Sequence, residues 1–139
     1  MDNHTPEQRH FNMSRIKRKD TKPELIVRKY LFSRGLRYRK NEKKLLGHPD
    51  LVFPKYKTAL FVHGCFWHGH ACQFFKLPKT NTVFWRAKVE ENKMRDKRIE
   101  NCLEAAGWRV IVVWECTLKN KKSRVKTLSN LYCSITTVD

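Results

Sequence analysis

The run WRVIVVW, residues 108–114, comes directly after a glycine that closes a long helical stretch, and a second apolar run, TALFV at 58–62, precedes that stretch. Strand, helix and strand in this order make a βαβ unit. Its two strands must be parallel, and a right-handed crossover over the helix makes them neighbours in one sheet. The helix is expected to start with Asn81 or Thr82 as cap and to run to about Ala106, with Ile99, Cys102, Leu103 and Ala106 on its later apolar face. Gly107 ends it. The near-continuous apolarity of 108–114 predicts a strand buried on both faces. Upstream, Asp50 to Phe53 and Thr58 to Val62 read as a hairpin around Pro54-Lys55-Tyr56-Lys57, which adds an antiparallel strand. The expected fold class is α/β, with a mixed central sheet flanked by helices.

The flanking segments carry helix signals. Thr21-Lys22-Pro23-Glu24 has the form of a capping box with proline in the first turn. The helix that follows is expected to bury Ile26, Val27, Tyr30 and Leu31 and to stop at Gly35. Leu36, Tyr38 and Lys40 open an extended stretch, and a last helix from about Ser123 carries Val125, Leu128, Leu131 and Tyr132. Thr5-Pro6-Glu7-Gln8 repeats the capping signature at the start of a short helix to about Lys17. That helix is weakly apolar, so residues 1–20 read as an arm that a partner would have to order. The 139 residues form one domain, 1–139, large enough for a single core.

Thirty Lys and Arg against thirteen Asp and Glu give a net charge of +17. Self-repulsion of that size points to a polyanionic partner. No stretch reads as a basic amphipathic membrane anchor, and no apolar run approaches the ~20 residues needed to span a bilayer. Nucleic acid is therefore the expected partner. The polar N-terminus MDNHTPEQRH lacks the apolar core of a signal peptide, so a cytoplasmic protein is expected.

Five cysteines in such a chain argue against a disulfide framework. Cys65, His70 and Cys72 have the spacing C-x4-H-x-C, and Cys116 supplies a fourth ligand of the kind tetrahedral zinc takes. Cys65 and Cys116 each lie just past the C-terminal end of a βαβ strand, and neighbouring parallel strands end on the same side. Four protein ligands with no open position describe a structural Zn²⁺ that staples a long irregular loop. By spacing alone His63 or His68 could stand in for His70. Cys102 and Cys133 read as packing or bystander residues.

A second cluster carries acid–base chemistry. Reflection of the hairpin about Tyr56 sets Asp50 opposite Val62, at the same end as His63. A carboxylate there can hold Mg²⁺ with backbone oxygen, water and phosphate completing the octahedron. His68 lies beyond the hairpin end, and Asp96, in MRDKR, is the carboxylate to orient it as a general base. Glu24 is a further acid. Each has a plainer reading: Asp50 as a turn residue, Glu24 as the capping-box member, Asp96 as a helix-surface ion pair.

Taken together, NMSRIKRKDTKPE, GHPDLVF, FVHGCFWHGHAC, FWRAKVEENKMRDKR and GWRVIVVWEC resemble the Vsr family, the very-short-patch repair DNA mismatch endonucleases of bacteria, over roughly Asn12 to Lys119. The resemblance implies a restriction-endonuclease-like fold. It implies an enzyme that nicks one strand beside the thymine of a T·G mismatch left by deamination of 5-methylcytosine. By the matching positions, Asp50 is the metal-binding carboxylate and the Val62 carbonyl a second Mg²⁺ contact. His63 and His68 are active-site histidines with Asp96 behind His68, and Glu24 is an active-site acid. Cys65, His70, Cys72 and Cys116 match structural zinc ligands. Phe66, Trp67 and Trp85 match aromatics that wedge into the duplex, and Met13 a residue inserted from the other groove. Apolar wedges unstack a mismatched step more cheaply than a paired one. The partners implied are double-stranded DNA with a T·G mismatch, a MutL-type repair protein and a cytosine methyltransferase, for an enzyme acting as a monomer. Two positions depart from the pattern: Val62 stands where some members carry threonine, and Gly69 and Ala71 interrupt what is a histidine run in others.

Two competing classes explain less. A non-catalytic zinc-containing DNA-binding module accounts for charge, zinc and aromatics but leaves Asp50, His63, His68 and Asp96 without a task. A zinc deaminase needs H-x-E and P-C-x-x-C, and neither occurs. Trp108 and Trp114 read as core.

Overall fold

A computed structural model describes residues 21–65, 68–70 and 76–137. The expected N-terminal helix, Met13, Phe66, Trp67 and Cys72 lie outside the described residues.

Helix α1, Lys22–Ser33, starts where the Thr21 side chain accepts a hydrogen bond from the Glu24 amide. Its buried stripe is Glu24, Val27, Arg28 and Leu31, the i, i+3, i+4, i+7 rhythm of one helix face. Gly35, at φ +88°, takes the left-handed turn that frees the chain from the helix. Ile26 and Tyr30, expected in the stripe, pack only at its margin.

Four strands follow: β1 (Arg39–Lys40), β2 (Leu51–Phe53), β3 (Thr58–His63) and β4 (Arg109–Trp114), in spatial order β1-β2-β3-β4. The first two pairings are antiparallel and β3–β4 is parallel, so the sheet is mixed as expected. Between β2 and β3 a short 3₁₀ turn, Pro54–Tyr56, passes to Lys57 at φ 51°. The register pairs Leu51 with Leu60, one residue from the reflection drawn on the sequence. Between β3 and β4 runs α2, Thr82–Ala105. The pairing of His63 with Trp114 sets the C-terminal ends of the two parallel strands side by side.

The period of two along β3 and β4 divides the core. Leu60 and Val113 face α1 and the last helix, α3 (Lys121–Thr136), joining Val27, Leu31, Leu51, Phe53, Leu118, Leu128, Leu131 and Ile135. Ala59 and Phe61 face α2, where Leu103 is buried and Ile99, Trp108, Val110 and Val112 pack beside them. Both faces of β4 are thus covered. It is nevertheless the last strand of the sheet among the described residues, and only Val113 in it is fully buried. β4, expected to be buried on both faces, has packing on each face but is only partly screened by it.

Other boundaries shift for local reasons. Asn81 precedes α2 in a left-handed conformation and its side chain makes no capping bond; Thr82 Oγ1 instead donates to the Pro78 carbonyl at 2.8 Å. Helix α3 begins two residues before Ser123 because Asn120 Oδ1 accepts from the Lys122 and Ser123 amides, a cap worth about 1 kcal/mol. Cys102, Ala106 and Val125, expected on apolar helix faces, are exposed. Cys102 and Ala106 flank the buried Leu103 on the turn that rolls outward. No described helix is long and apolar enough to cross a membrane.

Candidate active site and metal centre

Asp50 stands just before β2, and its Oδ2 accepts a hydrogen bond from the Val62 amide at 2.6 Å. This bond ties the entry of β2 to the exit of β3. Burial pushes the Asp50 carboxyl up to about 6. The Val62 hydrogen bond opposes that shift, the Glu24 charge adds to it, and His68 and Arg28 oppose it. Asp50 is therefore more than a turn residue: it lies in a partly buried electrostatic cluster with Glu24, Arg28 and His68. The donors are hard oxygens, the set suited to Mg²⁺.

Glu24 is 1% exposed, on the inner face of α1. Its Oε1 accepts from Arg28 Nη2 at 3.1 Å, one turn along the helix. Thr21 and Glu24 do share the N-terminal hydrogen bond of a capping motif, but the carboxylate itself is engaged by Arg28. Arg28 was not singled out in the sequence. The signal was there: an arginine four residues after a glutamate, in the stripe that also holds Val27 and Leu31.

His63, the last residue of β3, is 9% exposed, and its Nδ1 is buried without a hydrogen-bond partner. Burial, reinforced by the neighbouring His68, lowers its pKa to about 4. It is neutral at physiological pH. Its ring lies flat on that of His68, centroids 3.7 Å apart and planes within 3°. His68 Nδ1 meets Asp96 Oδ2 at 2.5 Å, and both side chains are about four-fifths buried. Asp96, weighed as a helix-surface ion pair or as the partner of His68, is mostly buried against His68. Its helix, α2, also holds the loop: a Cβ at Gly69 would come within 2.7 Å of Val89 and 2.6 Å of the Lys93 side chain. With φ +64°, Gly69 is required twice over.

On the other side of this loop Cys65, His70 and Cys116 bring their donor atoms within 4.8 Å of one another. Cys116 Sγ and His70 Nδ1 are 3.5 Å apart. A tetrahedron with Zn–S and Zn–N bonds of ordinary length has an S···N edge of about 3.5 Å. The soft and borderline donors and their spacing fit zinc, with the two strand ends supplying Cys65 and Cys116 as the βαβ topology required. His63 and His68 do not compete for this position; they group with Asp96 instead. Trp114, read as core, belongs to the site. Its ring stacks on His70 at 4.2 Å and 6° and meets His63 edge-on at 5.2 Å, so one indole braces both clusters. Its pairing with His63 across β3–β4 was the signal for this.

Trp85, half-buried in the first turn of α2, contacts Phe84 edge-on at 5.1 Å. Phe84 and Val83 beside it are strongly exposed. This apolar edge stands on a helix rich in lysine and arginine.

The cluster of Glu24, Arg28 and Asp50 and the His68–Asp96 pair at one end of a mixed sheet mark an α/β protein with a candidate acid–base site. The comparisons with known proteins give the family. The profile of the family described as DNA mismatch endonuclease Vsr matches residues 1–74. The type II nicking enzyme V.NmeAIP of Neisseria meningitidis serogroup A is 55% identical over 117 residues, covering 84% of this chain and 84% of that protein. V.XorIIP of Xanthomonas oryzae is 46% identical over 91% of this chain and 93% of its own. The DNA mismatch endonuclease Vsr of Escherichia coli is 41% identical over 87% of this chain and 78% of its own. The chain belongs to the Vsr family of DNA mismatch endonucleases, and is a nicking endonuclease of mismatch repair.

Proposed function

We propose that the chain nicks the thymine strand of a T·G mismatch arising from 5-methylcytosine deamination, using Mg²⁺ for catalysis and Zn²⁺ for structure. The observation that carries the catalytic reading is the Asp50–Val62 bond beside the stacked His63 and His68, with Asp96 on His68.

Asp50, Glu24 and the Val62 carbonyl would hold Mg²⁺. The N–H and C=O of one strand residue point to the same side. Since the Val62 amide reaches Asp50, its carbonyl is aimed toward the same neighbour, and a valine serves there as well as a threonine. When bound, Mg²⁺ supplies polarisation of the scissile phosphate and neutralises charge that develops on it. His68 acts as general base. With Nδ1–H donated to Asp96, its Nε2 takes the proton from the attacking water. The Asp96 carboxylate stabilises the imidazolium that results. His63, neutral and flat against His68, fixes the plane of the base without repelling it once charged.

Zn²⁺ on Cys65, His70, Cys72 and Cys116 fastens the loop that carries His68, and with it Phe66 and Trp67. These two, with Trp85 and Met13, form the aromatic and apolar wedge that tests base stacking. The support for Trp85 is its place on an exposed apolar edge of a strongly basic chain. The protein acts on double-stranded DNA in the cytoplasm as a monomer, and hands the nick to a MutL-type repair protein. The Asp50→Asn variant tests the reading: it should bind a T·G duplex with affinity close to wild type and cut it no faster than background. Retained nicking by that variant would sink the assignment.

A further inference from the structure

The inner face of α1 presents a buried arginine where a leucine would pack more cheaply. Arg28 is 7% exposed and Glu24 1%, and they lie between Val27 and Leu31. Burial of a guanidinium is costly unless it is well paired and hydrogen-bonded. Here the partner is half of a carboxylate pair. Glu24 and Arg28 are both close enough for their charges to act on Asp50, in opposite directions.

We propose that Arg28 is a positioning residue of the acidic site: its guanidinium fixes the Glu24 carboxylate and serves as the resident counter-charge of the Glu24–Asp50 pair until a divalent cation binds. The geometry suits this. Glu24 precedes Arg28 by one helical turn, so the backbone of α1 sets the 3.1 Å contact without a loop to move. The delocalised guanidinium can face two carboxylates at once, whereas an ammonium is a point charge. The contact that carries this role is the one to the Glu24 carboxylate, through which Arg28 acts. An alternative role, a buried ion pair that only secures α1 to the core, predicts different measurements.

This inference rests on the metal-site reading, and the experiment separates the two. The full chain is melted in EDTA and in millimolar Mg²⁺ or Mn²⁺ as wild type, Arg28→Met, Arg28→Lys, Glu24→Gln and the Glu24→Gln/Arg28→Met double variant. Mn²⁺ binding is measured in parallel by calorimetry. Arg28→Met should melt lower in EDTA, and the divalent cation should recover more melting temperature for it than for wild type. The double variant, with both charges gone, should melt close to wild type in EDTA. Mn²⁺ should bind Arg28→Met several-fold more tightly, since a nearby positive charge is gone. Single-turnover nicking at saturating Mg²⁺ should nonetheless fall at least tenfold, and Arg28→Lys, whose point charge cannot face both carboxylates, should recover only part of it. If Arg28→Met alone does not fold, a folded double variant is the same result. Equal loss of stability with and without cation, and no rescue in the double variant, would overturn the proposal. A wild type that neither binds nor is stabilised by divalent cation would overturn the metal reading instead, while the cycle in EDTA still decides the hold of Arg28 on Glu24.

Discussion

His63 lies flat on His68 at a centroid distance of 3.7 Å, and it is His68 whose Nδ1 meets Asp96 Oδ2 at 2.5 Å. Two histidines five positions apart thus have different work. In the proposed reaction it is His68 that carries the proton. His68→Ala should lower single-turnover nicking by about 10²–10⁴-fold, the range for a lost general base. Asp96→Asn should also lower it, through kcat rather than KM. His63 titrates near 4, so His63→Phe should leave the pH profile above 5 in place while changing the rate. A profile whose acid limb moved with His63 would reverse the two roles.

Asp50 makes a prediction about stability that runs opposite to its importance for cutting. Its folded-state carboxyl titrates near 6, against 3.8 unperturbed. A raised carboxyl favours the fold below pH ~4, and that contribution is lost as pH rises through 6. Each tenfold change in proton affinity is ~1.4 kcal/mol, and partial exposure reduces what is realised. In metal-free buffer at pH 7–8, Asp50→Asn should therefore be more stable than wild type by about 1–2 kcal/mol. At pH 3.5 the difference should vanish. Urea titrations at both pH values check this, and a variant less stable at pH 8 would contradict it.

The proposed metal centre predicts one tightly held zinc per chain. Cys116→Ser or prolonged chelation should expose the loop between β3 and α2 to protease before α1 or α3 is cut. The core of Leu31, Leu51, Leu60 and Ile135 does not depend on that loop. The melting temperature should fall by several degrees. Elemental analysis of active protein without zinc would remove the centre from the account.

Arg109 provides a control away from the site. Its guanidinium donates to the carbonyls of Ser134, Ile135 and Thr137, closing the last turn of α3. Arg109→Met should cost about 1 kcal/mol of stability, the net worth of such bonds at a partly exposed end. Nicking of a saturating T·G substrate should be unchanged.

What was legible in the sequence was what period and spacing encode. The βαβ unit followed from two apolar runs about a helical length apart. The convergence of Cys65 and Cys116 followed from parallel strands ending together. Asp50 was placed beside Val62 by counting across a hairpin. The misreadings came from features set by tertiary neighbours. Trp114 looked like core because β4 is apolar throughout, but as an edge strand it ends where His63 and His70 need an aromatic face. Arg28 was passed over because Glu24 was weighed as an acid or a cap, and neither reading asks for a buried partner one turn along the helix. Cys102 and Val125 were assigned to buried faces by periodicity, and they sit where no second layer covers them.

Strand-specific nicking of four end-labelled duplexes measures the central claim most directly. They differ only in carrying T·G, U·G, T·A or C·G at one position, with Mg²⁺ present and salt high enough to suppress the non-specific binding of a chain of charge +17. The T·G duplex should be cut once, on the thymine strand beside the mismatch, only with divalent metal, and the fully paired duplexes should stay intact. Equal cutting of T·A and T·G, or cutting of both strands, would contradict it.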